Sequence, residues 1–76
     1  MNKQTFQELR HECAKKYSPK DWTTNLWADF FGDCMKIAAF NETEKAEAVD
    51  EVSKCYTVPK ETVENTVKFI KDNFVV

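Results

Sequence analysis

The sequence predicts an all-α fold: a compact bundle of about four helices over residues 3–17, 19–39, 42–56 and 59–73, in one domain spanning 1–76. Three observations predict it. Apolar residues recur at helical steps of three and four in four separate stretches. One Gly and two Pro leave too few turn residues for a fold built from β-hairpins. Six Phe, two Trp and two Tyr can bury about 150–250 Å² each. That suffices for a single core in a chain of 76 residues, near the lower size limit for folding without metal or disulfides.

Over residues 3–17, Phe6, Leu9, Cys13 and Tyr17 make one stripe, and Arg10, His11, Lys15 and Lys16 lie mainly off it, on an expected wet face. Ser18-Pro19-Lys20-Asp21 reads as the next start signal, with Ser18 as cap, Pro19 at the first helical position and Asp21 three residues after the cap. The helix from Pro19 to Ala39 has a wide apolar face of Trp22, Leu26, Trp27, Phe30, Phe31, Cys34, Met35, Ile37 and Ala38. Its narrow wet face is Asn25, Asp29, Asp33 and Lys36, so it is expected at the centre of the bundle. Gly32 interrupts it at a cost of about 1 kcal/mol relative to Ala, and marks either a kink or a close helix crossing.

Asn41 (with Glu44 three later) or Thr43 (with Ala46) caps the third helix, Asn41 making the better capping box. The buried stripe there is short: Ala48, Val49, Val52, Cys55 and Tyr56, with Glu44, Glu47, Asp50, Glu51 and Lys54 facing outward. Val58 precedes a proline and is pushed out of the helical region, which breaks the chain. Pro59 suits the first position of the last helix, and Glu61 lies near its positive end. Val63, Val67, Ile70 and Phe74 form the fourth stripe, with Phe69 to one side.

Val52–Val67, reading VSKCYTVPKETVENTV, is the stretch around which the rest is arranged. It resembles the helix-turn-helix of homeodomain-like DNA-binding domains, including transposase and Pipsqueak-type modules, whose turn often reads Tyr-x-Val-Pro-Lys-x-Thr-Val. Val52, Tyr56, Val58 and Val63 take the apolar positions, Ser53 the small position where the helices touch, and Thr62 the usual Thr. The resemblance implies a last helix in the major groove, with Asn65 on adenine and Lys60 and Lys68 on phosphates. Arg10, Lys15, Lys16 and Lys20 would add phosphate contacts from the first helix. Two departures stand against this. Thr57 holds the turn position usually given to Gly, and Glu61 and Glu64 would face the DNA backbone.

Charge points the same way. Residues 1–40 carry six Lys/Arg against five Asp/Glu, whereas 41–76 carry five Lys against eight acids, so the motif lies in the acidic half. Catalytic and metal chemistry have little to work with. The one histidine, His11, is two residues from Cys13 and on a different helix face, and no CxxC, HxxxH or Gly-rich phosphate loop occurs. The expectation is no enzyme, no cofactor and no metal. Three cysteines cannot all pair within the chain, which favours a reducing cytoplasm, and no apolar run approaches a membrane span. The first twenty residues lack the apolar stretch of an export signal.

The expected function is a non-catalytic regulator or inhibitor that occupies a surface of a larger protein. By size and style it is analogous to small phage and mobile-element proteins of the host-takeover or anti-CRISPR kind. Glu44, Glu47, Asp50, Glu51, Glu61 and Glu64 would meet a basic, nucleic-acid-handling partner. Apolar side chains left over from the core, one Trp with Phe69 or the 74–76 tail, would add a patch for that partner or for a homodimer. The alternatives are a DNA-binding transcription regulator and a self-associating structural subunit.

Overall fold

The computed structural model describes residues 5–74 and holds four helices: α1 (Phe6–Tyr17), α2 (Thr24–Ala38), α3 (Glu42–Tyr56) and α4 (Lys60–Phe74). Three of them begin at a capping side chain. Thr5 and Glu8 make a full capping box on α1, with Glu8 N donating to Thr5 Oγ1 at 3.1 Å and Thr5 N to Glu8 Oε1 at 2.8 Å. Asn41 and Glu44 do the same for α3, so of the two caps open to this helix Asn41 is the one used.

The start of α2 departs from the expected residue 19. Residues 18–23 form a separate turn, with Trp22 N donating to Pro19 O at 3.2 Å. The cap is Thr23, whose Oγ1 accepts from Leu26 N at 3.1 Å. The reason is length and packing. An unbroken helix over 19–39 would run about 31 Å, against about 18 Å for a 12-residue α1. Breaking it lets Trp22 fold back onto Trp27, Phe30 and Tyr56, at ring-centroid distances of 6.3, 5.2 and 5.8 Å. At the other borders, α1 starts at Phe6 and α4 runs 60–74, while residues 3 and 4 of the first expected helix lie outside the described residues.

α2 and α4 pack on each other through the middle, and α1 and α3 each pack against both without packing on one another. The result is a flattened body of 37 × 31 × 16 Å. Trp27, Phe30, Phe31, Cys34 and Ile37 from α2 and Val63, Val67, Phe69 and Ile70 from α4 are buried, as expected of a central pair. Leu9, Cys13, Val49 and Val58 close the core from the flanks.

Four expected placements are corrected. Phe69 is not an exposed anchor: it is 7% exposed and lies in the core. The last helix is buried on a wider arc than its 63–67–70–74 stripe, because α1, α2 and α3 all press on it. Cys55, expected in the buried stripe of α3, is exposed, since that helix is sealed mainly through Val49 with Val52 and Tyr56 half-buried. Leu26, expected on the apolar face of α2, is exposed, as is Phe6 on α1. Phe6 nevertheless keeps ring contacts with Phe31 and Phe74. No described helix is long and apolar enough to cross a membrane.

Candidate functional site

The α3–α4 hairpin is built from a tight helix ending. Thr57 adopts the left-handed conformation at φ 56°, ψ 51°, and both its N–H and that of Val58 donate to Ser53 O, the latter at 3.0 Å. Both cap the one Ser53 carbonyl, as the chain turns back through a left-handed residue at the helix end. Ser53 Oγ donates in turn to Val58 O, which locks the turn, and Val58 is buried beneath it. Thr62 N donates to Pro59 O at 3.0 Å as α4 begins. A tight turn between α3 and α4 is thus present where Ser53, Val58 and Pro59 placed it.

The surface charges of the hairpin are partly paired across the turn. Asp50 reaches across the hairpin and binds Lys60 at 3.0 Å as well as Lys54 at 3.1 Å. Hydrogen bonds from Lys60 and then Lys54 hold its carboxyl below the usual range. Lys60 therefore spends its charge on α3, at the edge of a groove of about 330 Å³ that also involves Glu42, Lys45, Val49 and Glu64. Asn65 and Lys68 open elsewhere, into a groove of about 240 Å³ facing α1, together with Lys16, Tyr17, Glu12 and Asp72. Lys16 Nζ sits 5.7 Å from the centre of the buried Phe69 ring. Arg10 and Lys15 line a third cavity of about 330 Å³ with His11, Pro19, Trp22 and Trp27. There the Trp27 indole N–H donates to Arg10 O at 3.2 Å, and the Arg10 guanidinium lies 5.5 Å above Phe6. Six of the seven residues expected to touch DNA are thus divided among three separate grooves, and the seventh, Lys20, is exposed in the 18–23 turn.

The acidic residues divide more simply. Glu44, Glu47 and Glu51 are exposed at steps of three and four, one outer stripe of α3. Glu61 and Glu64 are exposed on the first half of α4. None of these five is in an ion pair among the described residues, whereas Asp50 holds two.

The reactive side chains do not gather. Cys13 and Cys34 are fully buried. Burial pushes the Cys13 thiol up from 9.0 to about 12, opposed in part by a hydrogen bond with Thr66, and burial pushes Cys34 up as well. Such thiols stay protonated and are poor nucleophiles. Thr66 itself is buried, and its hydroxyl donates to Thr62 O at 2.8 Å. Tyr56 donates to Asp33 Oδ2 at 2.6 Å, and burial, aided by that carboxylate, raises its phenol. Among the described residues no three of His, Cys, Asp and Glu are placed to hold a metal ion.

Sequence reasoning found Asn25, Asp29 and Lys36 on the wet face of α2 but missed that Leu26 and Gly32, with Phe40 in the turn after the helix, lie exposed beside them. The signal was present in their spacing with Asp29 and Lys36, but Leu26 beside a rich apolar face read as core. No protein-family model, curated protein or solved structure matches the chain.

Proposed function

We propose that this protein is a non-catalytic regulator or inhibitor that acts by binding a larger, basic protein of the nucleic-acid-handling kind. The observation that carries the reading is the outer face of α3. Glu44, Glu47 and Glu51 stand exposed in one line without an ion pair among the described residues, and Glu61 and Glu64 extend the negative surface onto α4. Carboxylates held on a rigid helix at fixed spacing attract and orient a basic partner, giving specificity and a fast association rate. The analogy in size with host-takeover and anti-CRISPR proteins fits such a role, with the reducing cytoplasm as the place where three free thiols persist.

Major-groove reading by α4 is the competing proposal. Its support is the geometry of the Thr57 turn. Against it stand the Asp50–Lys60 pair and the scatter of Arg10, Lys15, Lys16, Asn65 and Lys68 over two other grooves.

The test compares capture of partners from native cells by the wild type, by Glu47→Lys/Glu51→Lys, and by Asp21→Lys, an exposed acid of the 18–23 turn. The proposal expects a nuclease-resistant protein partner, released by raised salt, lost with the α3 pair and kept with Asp21→Lys. A partner retained equally by all three, or released by nuclease, contradicts it.

A further inference from the structure

Gly32 sits in the middle of α2, where glycine weakens a helix. A Cβ added there meets nothing within 4 Å, and the residue has no positive φ. No other helix of the chain crosses it closely, so a single copy gives no reason for the glycine. Around it runs a stripe of the same character. From Asn25 onward, the exposed residues of α2 and its closing turn are Asn25, Leu26, Asp29, Gly32, Lys36, Ala39 and Phe40. They follow steps of about three and four and so share one face. Leu26 and Phe40, two of the three exposed large hydrophobics among the described residues, stand at its two ends, 37% and 41% exposed.

The stripe is complementary to itself. Leu26 and Phe40 lie equidistant from residue 33, and Asp29 and Lys36 flank nearly the same centre. Asp29 and Lys36 have no ion pair among the described residues. Asp33, the acid nearest the centre, is turned to the Tyr56 hydroxyl on α3.

We propose that this face is a homodimer contact in which the α2 helices of two copies cross antiparallel about a two-fold axis at Gly32. In that register each Leu26 meets the second copy's Phe40, each Asp29 meets the second copy's Lys36, and every contact occurs twice, as an isologous interface requires. Gly32 lets the two backbones approach at the axis, the role small residues play at close helix crossings. A foreign helix would not call for opposite charges and apolar ends placed symmetrically about one residue. The contact is one helix face about 22 Å long and about 10 Å wide, smaller than the ~800 Å² per partner of a standard interface, so the dimer forms and dissociates with concentration.

The experiment is sedimentation equilibrium from about 10 µM to about 1 mM, joined to disulfide trapping in a Cys55→Ser background that removes the exposed native thiol. The wild type is expected to pass from monomer to dimer over that range. Gly32→Arg abolishes the dimer with helicity unchanged. Asp29→Lys weakens it about ten-fold, and Asp29→Lys/Lys36→Asp restores it, because the swap recreates the cross-axis pair. Gly32→Cys cross-links to itself under mild oxidation, Asp29→Cys does not, and Asp29→Cys/Lys36→Cys does. A monomer at every concentration overturns the proposal. So does a dimer indifferent to Gly32→Arg, or self-linkage of Asp29→Cys as fast as that of Gly32→Cys.

Discussion

Thr57 is where residue-level strain is concentrated. A β-branched side chain in the left-handed region costs roughly 1–2 kcal/mol, and Thr57 is exposed, so nothing it packs against offsets that cost. Thr57→Gly is expected to raise the unfolding free energy by about 0.5–1 kcal/mol in urea denaturation, less than the full strain because glycine frees the unfolded chain. The cysteines give a second residue-level prediction. One thiol, Cys55, reacts promptly with a disulfide reagent, and Cys13 and Cys34 react only as the protein unfolds. Their burial also sets the response to alkali. Cys13, Cys34 and Tyr56 have raised folded-state values, so the folded chain keeps protons that the unfolded chain loses. Stability is full below the unfolded thiol value of 9.0 and falls as pH rises through and beyond it. Each group that ionises only on unfolding adds about 1.4 kcal/mol per pH unit to the slope. Urea midpoints from pH 7 upward check this, and Cys34→Ala should flatten the fall by one proton. Cys55 shows why residue-level burial was only partly legible. On a helix with few apolar side chains, Val52, Cys55 and Tyr56 fit either of two phases, and contact with α2 and α4 selects the one that exposes Cys55.

At the scale of elements, the third helix was legible to the residue, because Asn41 with Glu44 and Val58 with Pro59 are chemical stop and start signals. Asn41→Ala removes one half of that capping box and should lower stability by about 1 kcal/mol. The start of α2 was not legible. Ser18-Pro19 and Thr23 are both good caps, and the choice between them was made by Trp22 docking on Trp27, Phe30 and Tyr56, a contact distant in sequence from Ser18. Gly32 belongs to this scale too. Since a Cβ there meets open space, Gly32→Ala should stabilise the monomer by about 1 kcal/mol in dilute solution. Phe69 went astray for a related reason. A fourth stripe drawn from four residues assumes one flat neighbour, whereas α4 lies in a trough formed by three helices.

For the whole molecule, the fold class was legible in the balance of apolar, charged and turn-forming residues, and the distribution of charge was legible only by halves. Folding sorts that charge further. It pairs Lys60 with Asp50 and sends Lys16 and Lys68 to one groove and Arg10 and Lys15 to another. The line of Glu44, Glu47 and Glu51 is left open. On the proposed reading, a tight turn between two helices and a DNA-binding surface are therefore separate properties. The direct test of that separation is fluorescence anisotropy with labelled duplex DNA across a salt series, starting at low salt where phosphate contacts are strongest. No complex is expected at the lowest salt. A complex that weakens steeply with salt and disappears in both Lys60→Ala and Asn65→Ala would contradict it.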